Sequence, residues 1–195
     1  MMKGSKMLNK RYICSRCFFY RYFMGSVIRL TKMRKRSRHP IKQFQRRKES
    51  DLPIVRIAHN VCKDIMLTIG SQLAERGGIL LGPVGTNDVT EFFFDNGGSC
   101  TGSTYSPDYM TLRQKMKKEW LPAGIDMKGF VHSHPGSFDR LSTGDLAYIN
   151  RLLDKNDDMT MFIAPIVIPS EFRLRPLVVL RDKPGIACEA RFEYY

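Results

Sequence analysis

Two histidines separated by one residue, His132 and His134, are the residues of this sequence best suited to chemistry. Alternate side chains of an extended segment project to the same face, so a strand ending here would bring both imidazoles together. Asp145 follows after a stretch that contains Pro135 and Gly136, residues that permit a turn. Two imidazoles and one carboxylate with an open fourth position form the ligand set of a catalytic zinc site. We therefore predict a Zn²⁺ site at His132, His134 and Asp145.

Amide hydrolysis at such a site also needs a general base and a donor for the developing oxyanion. Glu75 is the best candidate for the base, because it lies at a predicted helix-to-strand junction beside two glycines, where a backbone can approach a metal closely. Glu91 is the second candidate, but it lies within a predicted strand and lacks such glycines. Ser142, one helical turn before Asp145, carries a hydroxyl that can donate to the oxyanion. We expect Asp139, inside the loop, to be solvated or to contact substrate.

Hydrophobic periodicity and turn residues predict a chain in which strands outnumber helices. A helix that Asn60 caps and that runs to about residue 74 is expected to place Val61, Ile65, Ile69 and Leu73 on one apolar stripe. Further helices are predicted at 106–120 and from Ser142 or Thr143 to 153. Strands are predicted at 54–58, 79–81, 89–94, 127–133, 159–168, 174–180 and 190–194. Hairpins mixed with helices indicate the α+β class.

The charge of the chain is concentrated at its N-terminus. Residues 1–50 hold 16 Lys and Arg and one acidic residue, whereas residues 51–195 hold 16 basic and 18 acidic residues. We therefore divide the chain into a basic extension, 1–50, and one domain, 51–195. The extension is either a tail that contacts phosphate or an acidic partner, or a weakly structured stretch, and we favour the second interpretation. The near-neutral domain has no basic face for nucleic acid, so binding of nucleic acid would have to use residues 1–50.

The five cysteines are odd in number and scattered, which is not the pattern of a disulfide-stapled secreted domain, so we expect a cytoplasmic protein. Cys14 and Cys17 form a CxxC pair, but no second pair lies at the spacing of a zinc ribbon. No apolar run reaches membrane-spanning length, and the longest candidate, 18–30, is interrupted by Arg21 and Arg29. No membrane partner is expected.

The candidate site resembles the JAMM motif of the JAB/MPN metalloprotease family. That motif is a distant Glu, then H-x-H-P, six residues and S-x-x-D, which this chain matches with Glu75, 132–135, 136–141 and 142–145. The resemblance covers roughly residues 52–190. It implies that His132, His134 and Asp145 bind zinc, that Glu75 is the general acid and base, and that Ser142 stabilises the tetrahedral intermediate.

The resemblance further implies a cytidine-deaminase-like JAB/MPN fold, a curved and mostly antiparallel sheet with a helix on each side. The chain is compact, and in this it resembles stand-alone bacterial JAB proteins. Such proteins often accompany activating and conjugating enzymes of ubiquitin-like systems, including those encoded in antiviral defence operons. The implied activity is a zinc isopeptidase or peptidase that cleaves after the C-terminus of a ubiquitin-like protein. Alternatives are the processing of a sulfur-carrier protein, a nucleic-acid-associated JAB protein with a basic arm, and a silent scaffold. The last is disfavoured because the five motif residues are present.

Overall fold

The computed structural model of the chain describes residues 49–72, 74–100, 105–134 and 136–195. The expectations for residues 1–48, including the CxxC pair, and for Leu73 and Pro135 lie outside the described residues.

Short helices alternate with groups of strands along the described chain. The strands are Ile54–Ile57 (β1), Gly77–Pro83 (β2), Glu91–Phe94 (β3), Ser99–Cys100 (β4), Tyr105–Ser106 (β5), Ile125–Ser133 (β6), Met161–Ile163 (β7), Ile166–Ile168 (β8), Arg173–Arg175 (β9), Leu177–Leu180 (β10), Ala187–Glu189 (β11) and Arg191–Tyr194 (β12). The α-helices are His59–Thr68 (α1), Tyr109–Lys115 (α2) and Thr143–Lys155 (α3). A π-helical segment, Met116–Trp120, continues α2, and 3-10 turns lie at Glu49–Asp51, Leu121–Ala123 and Pro169–Glu171.

One large sheet forms the centre of the fold, with its main path in the order β11-β10-β7-β6-β2-β3. Strand β8 also pairs with β6, and β9 pairs with β8. The pairs are antiparallel except β6 with β7 and β6 with β8, which are parallel. Strands β1 and β12 form a separate parallel pair, and β4 and β5 a separate antiparallel pair. The predicted α+β class with a mostly antiparallel sheet is confirmed.

Helices cover both faces of the sheet. Successive side chains of a strand point to opposite sides, so each central strand contributes to a core on each face. Ile79 and Leu81 of β2 pack in one core together with Ile149 of α3. Leu80, between them in sequence, packs in the other core with Val61 of α1. Phe130 and Val131 of β6 divide between the two cores in the same way. His132 is therefore expected on the face that α3 covers.

The observed elements differ from the predicted ones mainly at their ends. The first helix begins at His59 after Ala58, so Asn60 does not cap it, and it ends at Thr68 rather than near residue 74. Segments 159–168 and 174–180, predicted as single strands, are each two strands. Leu153 does lie near the end of α3, and Ser142 rather than Thr143 caps that helix. Strands at 54–57 and 191–194 agree with prediction.

Close backbone packing beside β6 depends on Gly129. A Cβ at this position would lie 1.7 Å from the carbonyl oxygen of Ile163, on the parallel neighbour β7. The register between β2 and β6 also shifts at this point, between Leu80 and Leu81. Toward the end of β6, Gly77 of β2 pairs with His132, so the start of β2 lies beside the histidine segment.

In the part of the chain that the structure describes, no helix is both long enough and apolar enough to cross a membrane.

Candidate metal centre

His132 and His134 lie at the end of the central strand β6, with both imidazoles on the same side. His132 pairs with Gly77 on one edge of β6 and with Ile166 of β8 on the other. His134 continues the ladder, since its backbone N–H donates to the Val167 carbonyl at 3.2 Å. Only 2% of His132 and 6% of His134 are exposed. Their Nε2 atoms are 2.9 Å apart, which confirms the geometry that the alternation of strand side chains predicts.

Asp145 reaches the histidines because its own helix begins with a capping box. The Ser142 hydroxyl oxygen accepts from the backbone N–H of Asp145 at 3.1 Å, and Asp145 Oδ2 accepts from the backbone N–H of Ser142 at 2.7 Å. This reciprocal pair starts helix α3 and holds the Asp145 carboxylate in one orientation. The S-x-x-D spacing therefore has a local structural reason in addition to any role in chemistry.

The three predicted ligand atoms form a compact triangle. Asp145 Oδ2 lies 3.5 Å from His132 Nε2 and 3.7 Å from His134 Nε2, and the two nitrogens are 2.9 Å apart. Ligands at about 2.1 Å from a tetrahedral zinc ion lie roughly 3.4 Å from one another. The sides of the triangle bracket that value, and two imidazoles with a carboxylate are a donor set that zinc accepts. The residues present therefore fit a metal ion.

Glu75 joins the same site from a distant part of the sequence. The backbone N–H of Arg76 donates to the Ser133 hydroxyl, and the backbone N–H of Ser133 donates to the Arg76 carbonyl. These contacts set the residue before Arg76 beside the two histidines, where 6% of Glu75 is exposed. Glu91, by contrast, is exposed and pairs with Leu81, at the far end of β2 from His132. The structure therefore brings Glu75 to the histidines and leaves Glu91 away from them.

Two carboxylates can complete a metal site with the same histidines. Ligand atoms of Glu75, His132 and His134 lie within 4.8 Å of one another, and all three residues are buried. The set that contains Asp145 is tighter, with each carboxylate-to-nitrogen distance at or below 3.7 Å. We favour Asp145 as the ligand because its carboxylate is closer to both nitrogens. Glu75 then remains free for proton transfer.

Burial and neighbouring charges set the protonation of the site. Burial, followed by the charge of His132, lowers the pKa of His134 to about 4, so this ring is neutral at pH 7. Burial alone would raise the pKa of Asp145, but hydrogen bonds from His132 and Ser142 lower it to about 2. Burial also raises the pKa of Glu75; His132 opposes that effect and the Asp145 carboxylate adds to it. A neutral imidazole and an ionised carboxylate are the forms that bind metal.

A cavity of about 460 Å³ opens above the centre. Besides all five motif residues, its lining includes aromatic side chains, namely Tyr105, Tyr109, Phe130, Phe138 and Tyr148. The Phe138 ring centroid lies 5.0 Å from that of His134, and about half of Phe138 is exposed. Such walls can bury a flexible chain segment next to the carboxylates.

Tyr105 is a cavity residue that the sequence did not single out. Its backbone N–H donates to the Glu75 carboxylate. The sequence offered only an indirect indication, the two glycines Gly77 and Gly98. In the structure, a Cβ added at either glycine would overlap the Tyr105 ring. These segments meet only in the tertiary structure, and no hydrophobic periodicity of the sequence predicts the contact.

The sequence suggested that Asp139 would be solvated or would contact substrate. In the structure its side chain is 31% exposed, and it does not line the cavity. Its carboxylate and its carbonyl oxygen both accept from Arg175, a largely buried residue of β9 that also donates to Glu189. Because Arg175 comes from another strand, the pair ties the loop after the histidines to the sheet. Asp139 is therefore a structural partner of the sheet that also keeps part of its predicted contact with solvent.

No family model matches this chain, and no curated protein matches it. Among solved structures, the chain is similar to protein DSY2949 from Desulfitobacterium hafniense, with 17% identity and a TM-score of 0.55 over 72% of this chain and 92% of that one. It is also aligned with AF2198, a JAB1/MPN domain protein from Archaeoglobus fulgidus, with 18% identity and a TM-score of 0.42 over 71% and 97% of the two chains. At 17% identity, the similarity to DSY2949 shows a shared fold and does not extend to chemistry.

Proposed function

We propose that the chain is a zinc-dependent isopeptidase or peptidase that cleaves after the C-terminus of a ubiquitin or ubiquitin-like protein. One observation carries the proposal: two buried imidazoles and one carboxylate meet with the spacing of a metal centre, and a second carboxylate lies beside them. The resemblance of these residues and Ser142 to the JAMM motif supports the choice of reaction.

His132, His134 and Asp145 would hold the ion. A bound zinc ion would lower the pKa of a water molecule and polarise the substrate carbonyl. The capping box keeps the Asp145 carboxylate aimed at the two imidazoles, and the β6 ladder fixes the backbone from which His132 projects. The ligand positions are therefore largely preorganised, which lowers the entropic cost of ordering side chains when an ion binds.

Glu75 moves the proton. As the water oxygen bonds to the carbonyl carbon of the scissile amide, the Glu75 carboxylate accepts a proton from that water. As the carbon–nitrogen bond breaks, Glu75 donates the same proton to the leaving amine and returns to its starting state. Burial raises the pKa of Glu75, which brings the carboxyl closer to the range in which it can both accept and donate.

Ser142 is proposed to stabilise the oxyanion. Its hydroxyl oxygen accepts the Asp145 N–H with a lone pair, so the hydroxyl hydrogen remains available for donation. Ser142 is exposed and lines the cavity, where a substrate carbonyl can reach it. Donation to the developing negative charge lowers the barrier because the donor is already oriented.

The resemblance alone supports the proposed partners. They are a ubiquitin-like conjugate and activating and conjugating enzymes encoded nearby, in the cytoplasm. The aromatic walls of the cavity are compatible with an extended C-terminal tail that is bound along its length.

The test combines metal analysis with cleavage assays on the full chain. Purified protein is expected to bind about one zinc per chain and to release a ubiquitin-like protein from a panel of isopeptide and linear conjugates. Glu75→Gln should retain zinc and lose cleavage at least 100-fold. Glu91→Gln is the matched control, a glutamate of the neighbouring strand outside the cavity, and it should behave like the wild type.

Equal loss in both glutamate variants would contradict the assignment of the base. Zinc-loaded protein that cleaves no conjugate in the panel would contradict the proposed substrate. Release of a C-terminal extension from a sulfur-carrier protein, without isopeptide cleavage, would instead identify a processing enzyme.

A further inference from the structure

Asp95 is a buried carboxylate near the cavity that the proposed reaction does not use. Only 2% of it is exposed. Its Oδ2 atom accepts from the Tyr105 hydroxyl at 2.6 Å and from the backbone N–H of Asp108 at 2.9 Å. Burying a carboxylate is costly unless hydrogen bonds replace its water, and these two donors replace part of it. Asp95 thereby holds both ends of segment 105–108, whose first three residues line the cavity.

The Tyr105 ring lies in a slot between two glycines. A Cβ on Gly77 would be 2.3 Å from Tyr105 Cε1, and a Cβ on Gly98 would be 2.6 Å from Tyr105 Cε2. Neither glycine has a positive φ. The absence of a side chain, rather than an unusual backbone conformation, is therefore what these positions require. The slot and the Asp95 hydrogen bond together restrict the ring to one position.

The backbone of Tyr105 contacts Glu75. The Tyr105 N–H donates to the Glu75 carboxylate, and Glu75 lies two positions before Gly77 in the sequence. Asp95 also contacts β2 directly, since its backbone N–H donates to the Gly77 carbonyl at 3.2 Å. Asp95, Tyr105 and Glu75 are thus linked in a closed set of contacts around the start of β2.

We propose that Asp95 is a positioning residue for Glu75, because it fixes Tyr105, whose backbone N–H holds the Glu75 carboxylate beside His132 and His134. The inference rests on the proposed function, in which Glu75 is the base. A base acts only within hydrogen-bond reach of the proton that it moves, and a misplacement of about 1 Å can cost roughly 100-fold in rate. Asp95 itself touches neither substrate nor metal ligand in this scheme.

Three variants of the full chain test the link. Tyr105→Phe keeps the ring and the backbone N–H but removes the bond to Asp95, and it should lower kcat about 10-fold with KM unchanged within twofold. Asp95→Ala removes both bonds and should lower kcat about 100-fold. Asp95→Asn should recover most of that loss, because one amide oxygen can accept both hydrogens. Tyr194→Phe is the matched control: it removes a tyrosine hydroxyl that is bonded to Cys62, and neither residue lines the cavity.

Amide hydrogen exchange in metal-free protein gives a readout that needs no activity. The amide of residue 105 should be protected in the wild type and in Tyr194→Phe, and its exchange should accelerate at least 10-fold in Asp95→Ala and in Tyr105→Phe. Tyr105→Phe retains every core side chain of the slot, so it remains informative if Asp95→Ala does not fold.

Wild-type kcat together with unchanged exchange in Tyr105→Phe would overturn the inference. A fall in kcat that Asp95→Asn does not recover would also overturn it, since the carboxylate charge and not the positioning would then be responsible. If the wild-type protein cleaves no conjugate, the proposed function fails, while the exchange measurement still decides whether Asp95 holds Tyr105 against Glu75.

Discussion

The backbone N–H of Arg76 donates to the Ser133 hydroxyl oxygen at 3.0 Å, and the backbone N–H of Ser133 donates to the Arg76 carbonyl oxygen at 2.8 Å. Ser133 lies between the two histidines, and Arg76 follows Glu75 directly. This reciprocal pair joins segments 57 positions apart in sequence. It is the contact through which the proposed base and the proposed metal ligands share one cavity.

Ser133→Ala should therefore destabilise the protein. Ser133 is buried, and its loss leaves the Arg76 N–H without its acceptor, at a cost of roughly 1–3 kcal/mol in the free energy of unfolding. Urea denaturation of metal-free protein measures that cost. Ser71→Ala, which removes an exposed serine bonded to the Leu67 carbonyl, is the control and should cost under about 0.5 kcal/mol. Equal midpoints for the two variants would mean that the Arg76–Ser133 contact does not stabilise the fold.

Metal affinity should distinguish the two carboxylates. Asp145→Asn removes the closer carboxylate and should weaken zinc binding at least 10-fold, whereas Glu75→Gln should leave it within about threefold. Competition with a chromophoric chelator gives both dissociation constants. The reverse order, with Glu75→Gln losing zinc and Asp145→Asn retaining it, would make Glu75 the ligand and leave the base to be found elsewhere.

Gly129→Ala should be among the most damaging small substitutions in the central sheet. The added Cβ would lie 1.7 Å from the Ile163 carbonyl oxygen and 2.9 Å from its nitrogen, and neither backbone atom can move without breaking the β6–β7 pairing. We expect a loss of about 3 kcal/mol or more, measured by denaturation. Gly144→Ala, whose Cβ would approach only the Ser142 hydroxyl oxygen at 3.5 Å in the first turn of α3, should be neutral or slightly stabilising. Similar losses in both variants would contradict the steric explanation.

Cys62 should react slowly with alkylating reagents below about pH 10. Burial raises the pKa of its thiol to about 11 from an ordinary 9.0, against the opposing hydrogen bond with Tyr194. The folded state retains the proton between these values while the unfolded state loses it, so this thiol's contribution to stability falls as pH rises through that window. Iodoacetamide rates on a variant with the other four cysteines replaced measure the effect. Half-maximal reactivity near pH 9 in the folded protein, as in urea, would contradict it.

Local patterns predicted the parts of the site that local structure creates. The H-x-H spacing placed both imidazoles on one side, because strand side chains alternate. The S-x-x-D spacing placed Asp145 one helical turn from Ser142, where a capping box orients it. Helix ends were less predictable: Asn60 is a good capping residue, yet α1 begins before it, since tertiary contacts outweigh a cap of about 1 kcal/mol.

The sequence by itself determined the residue types of the proposed ligands, the shared face of the two histidines and the division between a basic N-terminal stretch and a near-neutral body. Tertiary structure alone decided which glutamate meets the histidines, since β2 pairs with β6 in a register that brings Gly77 opposite His132 and leaves Glu91 at the far end. Tertiary structure also placed Asp139 in contact with Arg175, and Tyr105 in contact with Glu75. Spacing reports contacts within one strand or one helical turn, whereas these contacts depend on register and packing between segments distant in sequence.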